Sequence, residues 1–300
     1  MKPFIKKILL FTAIPVTSGL LFLILLTLYL KASYQDYPIG SNISILFAGD
    51  SHIQSSVDDR LIPHSLNIAK NSESLYFTYY KLKMLLDTHP SIKQVFLGVS
   101  YHSLSNYFNQ YIDGKYSVNI SPRYFFLLPF KEQIRVFNWN RNHPAGFLKS
   151  IFKKGMAQAA LHRYSFMGGF TNSFEGTTAV DSSMEKRIKF QYYTKGKLNP
   201  FSVYNIRYLS EIEGLCQARG VELTVLSSPL HDHYYKKVPK AYKDKLNQII
   251  TTNKLNYIDL TNLPLDENCY IPDGDHVSFF GAKNTSKTLR EMIDEQTAER

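Results

Sequence analysis

A serine hydroxyl becomes an effective nucleophile when an imidazole takes its proton and a carboxylate holds that imidazole in place. The 300-residue sequence carries these groups far apart. Ser51 follows Ile43-Ser-Ile-Leu-Phe-Ala48-Gly49-Asp50, an apolar run that predicts a short strand ending in a tight turn. Such a turn holds the hydroxyl at a sheet edge and brings the next helix N-terminus near developing negative charge. Far downstream, Asp273-Gly-Asp275-His276 stands before Val-Ser-Phe-Phe-Gly281-Ala282 and a predicted helix. Asp273 and Asp275 are rival partners for His276. Read alone, these aspartates also fit a solvated turn, which leaves the match with Gly49-Asp50-Ser51 unexplained.

The elements that must position these groups alternate. Ser65 to Ala69 reads as a second strand, and Ser74 to Asp87 as a helix with Leu75, Tyr79, Leu82 and Leu86 at helical spacing. Lys93 to Val99 is a buried strand leading into Ser100-Tyr101-His102. A helix from Ser202 to Arg219 stops at Gly220, a strand follows at Val221 to Leu226, then a helix at Lys240 to Asn253 and a strand at Leu255 to Leu260. The last helix runs from Ser278 to about Gln296. This order predicts an α/β fold, a flavodoxin-like three-layer α/β/α sandwich with a mainly parallel sheet. Residues 103–200 break the rhythm and read as a large insertion beside the site. Its aromatic clusters, such as Tyr124-Phe125-Phe126, fit a substrate-binding cap or, as we favour, the core of a helical subdomain.

Ile8 to Leu30 is uncharged for 23 residues, with Lys2, Lys6 and Lys7 before it and Lys31 after. At about 1.5 Å per residue it is long enough to cross a hydrocarbon core of about 30 Å, which predicts an N-terminal transmembrane helix. A cleavable signal peptide is the rival reading; its apolar region is usually only about 7–15 residues. The lysine bias places the N-terminus in the cytoplasm and the rest outside. The chain thus divides into an anchor at 1–31, a linker at 32–42 and one domain at 43–300. Of the net charge of +10, six units remain outside the anchor, where 31 basic residues face 25 acidic ones. That excess suits anionic lipid or an acidic polymer. The basic residues are scattered and form no nucleic-acid-binding pattern, so no nucleic-acid partner is expected. Cys216 and Cys269 could pair or stay free; spacing does not decide.

With Gly49-Asp50-Ser51 after the first strand and Asp273-Gly-Asp-His276 before the last helix, the sequence resembles the SGNH/GDSL hydrolase superfamily over residues 43–102 and 202–296. The resemblance implies Ser51 as nucleophile, His276 as general base and Asp273 as its orienter. It also implies an oxyanion hole built from the serine amide, a second-block glycine amide and a third-block asparagine. Here the second block falls at Asn71-Ser72-Glu73 without a glycine, and the third reads Gly98-Val-Ser100-Tyr101 without the asparagine. The Ser72 amide, with Ser100 or His102, is the candidate replacement. The anchor and the diverged third block are similar to the membrane-bound SGNH proteins of teichoic-acid D-alanylation and exopolysaccharide acetylation. That similarity implies an acyl ester on an envelope polymer as substrate and a membrane acyltransferase as a candidate partner.

His231-Asp232-His233 follows the strand ending at Pro229, at the same edge of the predicted sheet as Ser51. It reads as solvated loop or as a His231 lining the acyl pocket in preference to a metal site, which lacks an identifiable third ligand. His52 reads as a supporting or substrate-contacting residue. With no nucleotide-binding or clear metal motif, no cofactor is expected. Two further classes stay open: a non-catalytic membrane-tethered partner of an envelope-modifying complex, and a polysaccharide-binding protein using the aromatic insertion.

Overall fold

The computed structural model describes residues 2–34, 37–174 and 180–298. Helix α1 (Lys2–Ser33) leads to β1 (Ile45–Ala48), α2 (Ser51–Ser56), β2 (Ser65–Asn67), α3 (Leu75–Thr88) and β3 (Gln94–Gly98). The insertion holds short 3-10 turns and four helices, α4 (Ser117–Ile120), α5 (Phe130–Trp139), α6 (Pro144–Leu161) and α7 (Asp181–Tyr192). A small hairpin, β4 (Tyr193–Thr194) with β5 (Lys197–Leu198), returns the chain to α8 (Val203–Ala218) and β6 (Glu222–Ser227). Then come α9 (Asp232–Lys237), α10 (Lys240–Asn253), β7 (Asn256–Asp259) and α11 (Phe279–Ala298).

The five-stranded sheet has the order β2-β1-β3-β6-β7, and every pairing is parallel. Counting only its own strands, this is the 2-1-3-4-5 order of a flavodoxin-like doubly wound sheet. Alternate residues enter separate cores, because successive side chains of a strand point to opposite faces. Leu46, Ala48, Val95, Leu97 and Val225 pack with Leu82 and Leu85 of α3 and Leu209 and Ile212 of α8. Ile45, Phe47, Phe96 and Leu226 pack with Ile53 of α2 and with Leu289 and Ile293 of α11. Both faces are covered, which is why β1 and the middle of β3 read as unbroken apolar runs.

The insertion extends the larger core, where Tyr124, Phe125, Phe126, Phe147 and Phe166 are buried. Packing therefore accounts for these aromatics. Leu26, Leu30 and Tyr34 at the end of α1 and just beyond it join the same core, and the Tyr34 hydroxyl donates to Gln158 Oε1 at 2.6 Å. The remainder of α1 is largely exposed, and Leu10–Ser33 is long and apolar enough to cross a membrane. Cys216 and Cys269 are both buried free thiols, so the disulfide reading is not realised.

One buried ion pair fixes the loop after β2. Lys81 Nζ lies 2.6 Å from Glu73 Oε2, both side chains fully buried, and also donates to the Ile68 carbonyl at 2.6 Å. Thr78 and the insertion's Tyr124 donate to the same carboxylate, each at 2.8 Å. Burial pushes Glu73 up and Lys81 down, so each charge depends on its partner. Lys81→Met leaves Glu73 buried without its cation and is expected to cost about 3–5 kcal/mol. Tyr124→Phe removes one hydrogen bond and is expected to cost about 1–3 kcal/mol. Chemical denaturation of the two variants checks both values.

Candidate active site

Ser51 is the first residue of α2, directly beyond β1 and beside the point where the strand order reverses between β1 and β3. Asp50 caps this helix, its Oδ1 accepting the His52 N–H at 2.9 Å. The second half of the site comes from the loop before α11. His276 Nε2 lies 2.9 Å from Ser51 Oγ, and His276 Nδ1 lies 2.9 Å from Asp273 Oδ2. Asp273 Oδ1 accepts the backbone N–H groups of Asp275 at 3.0 Å and His276 at 3.1 Å, which folds the turn around its own carboxylate. Asp275 comes only within 3.9 Å of His276 Nδ1. Of the two rival carboxylates, Asp273 is thus the one in hydrogen-bond reach.

The turn is held from outside. Gly274 sits at φ 63°, and a Cβ there would stand 2.6 Å from Met184 Sδ on α7. Its carbonyl accepts the His231 N–H at 2.9 Å. Asn172 Nδ2 donates to the carbonyls of Ser55 and Val277, each at 2.9 Å, bracing the serine helix against the histidine loop. Asp275, with no side-chain exposure, accepts at one oxygen from Arg187 Nε at 2.6 Å and Gln191 Nε2 at 2.7 Å. The Tyr234 hydroxyl in turn donates to Gln191 Oε1. Arg187 and Gln191 were not among the expected site residues. The signal for them in the sequence is slight, an Arg and a Gln four apart on one face of a helix inside the insertion.

A second carboxylate–histidine layer lies beneath. His102 Nε2 is 2.8 Å from Asp50 Oδ2, and its ring stacks on His52 with centroids 4.1 Å apart. The His52 ring is 4.6 Å from that of His276, and its Nε2 approaches Asp275 Oδ1 at 3.2 Å without hydrogen-bond alignment. Burial would raise Asp50, but His102 and His52 hold it down to about 2. Burial would likewise raise Asp275, yet His52 and the Arg187 guanidinium keep it well below the carboxylate range. At His52 burial prevails and lowers the imidazole. At His276 the burial penalty is outweighed by the hydrogen bond and charge of Asp273, aided by Asp275, so its affinity for protons is raised. Asp273 is lowered by the same pairing, against its own burial.

The other expected residues fall in different places. Ser72 follows β2 with φ 63°, the left-handed conformation a glycine would ordinarily take. Ser100 lies two residues beyond β3 and caps the following 3-10 turn, where its N–H donates to Ser103 Oγ at 3.2 Å, and His102 is committed to Asp50. The structure joins neither Ser100 nor His102 to Ser51. His231 pairs with Glu267 at 3.1 Å and caps α9 by accepting the His233 N–H at 3.2 Å. It braces the Asp273–His276 turn from behind. His52, Asp275 and His276 bring metal-ligating atoms within 4.8 Å of one another. Asp275 Oδ2 and both His276 nitrogens are already engaged by Arg187, Gln191, Asp273 and Ser51, which leaves Asp275 Oδ1 and the two His52 ring nitrogens without a hydrogen bond.

No family model matches the chain, and no curated protein matches it. Among solved structures, it is similar to a GDSL-like lipase from Bacteroides thetaiotaomicron, with a TM-score of 0.36, 8% identity, and 86% of this chain and 91% of that chain covered. It is also similar to a putative acylhydrolase from Bacteroides fragilis, with a TM-score of 0.36, 9% identity, and coverage of 86% and 90%. These likenesses are loose, and the fold rests on strand order and register.

The raised proton affinity of His276 has a direct readout. In an NMR titration its imidazole is expected to titrate above the ordinary 6.5. Asp273→Asn should move that midpoint down, because it removes the charge that favours the imidazolium. A midpoint at or below 6.5 in the unsubstituted protein would contradict this electrostatic picture.

Proposed function

We propose that the chain is a membrane-anchored serine esterase or O-acyltransferase acting outside the cytoplasm on acyl esters of a cell-envelope polysaccharide or related polymer. The observation that carries the reading is the unbroken hydrogen-bond path from Ser51 Oγ through His276 to Asp273, at 2.9 Å for each link. Ser51 Oγ attacks the ester carbonyl while His276 Nε2 takes its proton, giving a tetrahedral oxyanion. His276 returns that proton to the leaving alkoxide, and an acyl ester on Ser51 remains. Water or a sugar hydroxyl then attacks the acyl group, with His276 again serving as base and Ser51 recovering its proton. Asp273 stabilises the imidazolium in both halves. The amides of Ser51 and Ser72 are assigned to the oxyanion, with the left-handed backbone of Ser72 standing in for the glycine of related sites.

Hydrolysis of p-nitrophenyl acetate by the full chain in detergent tests the chemistry. Ser51→Ala and His276→Ala are expected to abolish turnover, and Asp273→Asn to lower it by about 10⁴-fold. Activity should fall as pH drops through the raised pKa of His276, because the base must be neutral to accept the Ser51 proton. Turnover that survives Ser51→Ala would sink the assignment. Its absence in folded protein, even with polysaccharide acceptor and acyl donor supplied, would favour a non-catalytic partner.

Retention of the anchor is supported by the burial of Leu26, Leu30 and Tyr34 in the larger core, since removing them would open apolar surface. The protein should remain in membranes washed with alkaline carbonate and should keep its N-terminal residues by mass spectrometry. A carbonate-soluble product starting near the linker would indicate a cleaved leader.

A further inference from the structure

The insertion shows solvent an apolar face that the chemistry above does not use. On α5, Phe130 and Ile134 are four residues apart and 63% and 48% exposed. On α6, Leu148, Phe152 and Met156 continue at the same spacing, each at least 40% exposed. The stripe on α6 is flanked by Lys149 and Lys153, which repeat with the same period. Opposite these helices runs α1. Phe152 stacks on Phe22 with centroids 5.0 Å apart, and Gly155 lets Leu26 approach so closely that a Cβ would stand 2.9 Å from its Cδ2. Between α1 and the α5–α6 pair lies a groove of about 990 Å³. Its walls are apolar except for Thr27, Gln133 and two lysines, Lys31 and Lys149.

We propose that this face is a lipid-docking surface, and that the groove holds an acyl chain of a membrane phospholipid. The argument for lipid is continuity: one wall of the groove is the helix long and apolar enough to cross a membrane, so the adjoining apolar stripes enter the same medium. Amphipathic helices with aromatic and aliphatic residues on one side and lysines beside them lie in the boundary between headgroups and chains. The lysines supply the positive charge that an anionic headgroup phosphate requires. The volume also falls at the upper end of the range of ligand sites, about 300–1,000 Å³. This inference rests on the reading of α1 as a membrane helix, and it is independent of the serine chemistry.

The test uses the full chain with Trp139→Phe, which removes the one tryptophan. Single tryptophans are placed by Phe130→Trp and Phe152→Trp, with Leu20→Trp as a probe of the span. Each protein is reconstituted in phosphatidylcholine vesicles containing phosphatidylglycerol, with or without bromine on the acyl chains. All three tryptophans are expected to lose most of their emission to the brominated chains. Bromine on phosphatidylglycerol should quench Phe152→Trp more than bromine on phosphatidylcholine, and Lys149→Gln should remove that preference. Quenching of Leu20→Trp alone would overturn the proposal while leaving the anchor intact. No quenching at any position would overturn both the anchor and the docking surface. Unquenched probes in a chain that cross-links to a second copy across α6 would assign the face to a protein contact instead. Equal quenching by the two brominated lipids would remove the lysines from headgroup recognition.

Discussion

A carboxylate with no solvent exposure stays ionised only if the protein replaces the water it has lost, and the Asp273–His276 turn depends on how this is done at Asp275. Arg187 and Gln191 of the insertion converge on one of its oxygens, and Tyr234 fixes Gln191 from the far side. This anchors the middle of the Asp273–His276 turn to α7, so the insertion sets the geometry of residues far from it in sequence. It also separates the two aspartates. Asp275 is spent on structure and field, while Asp273, 24% exposed at its side chain, is left to hold the imidazole.

Three carboxylates, Asp50, Asp273 and Asp275, surround the histidine group, and among the described residues Arg187 is the cation paired with one of them. Their excess negative charge falls most strongly on His276, which faces Asp273 directly and is raised, while deeply buried His52 is lowered. The stacked rings of His52 and His102 lie under His276, with His102 held by Asp50. Asp50 in this way joins two tasks: it caps the helix that presents Ser51 and fixes the histidine layer beneath it.

Much of this was legible in the sequence because it is encoded locally. The apolar runs before Ser51 and Ser100 needed only period and length, and α10 matched its expected limits, Lys240–Asn253. Gly49-Asp50-Ser51 and Asp273-Gly-Asp-His276 announced chemistry through residue type and flanking elements, and the structure brings Ser51, His276 and Asp273 within hydrogen-bond distance. The insertion was not legible in the same way. Helices α5 to α7 pack through aromatics that face several neighbours at once, which blurs any single apolar stripe, and the partner of Asp275 is chosen by tertiary packing. Nor could composition decide between paired and free thiols, because Cys216 lies in α8 and Cys269 in a 3-10 turn before α11, a separation only the fold sets.

The central claim is that Ser51 is activated by His276. The most direct measurement is covalent labelling of the full-length protein with a fluorophosphonate, followed by peptide mapping of the adduct. The account requires one adduct, on Ser51, formed rapidly by the unsubstituted protein and lost on His276→Ala. A folded protein that resists labelling, or that carries its adduct on another serine, would contradict it.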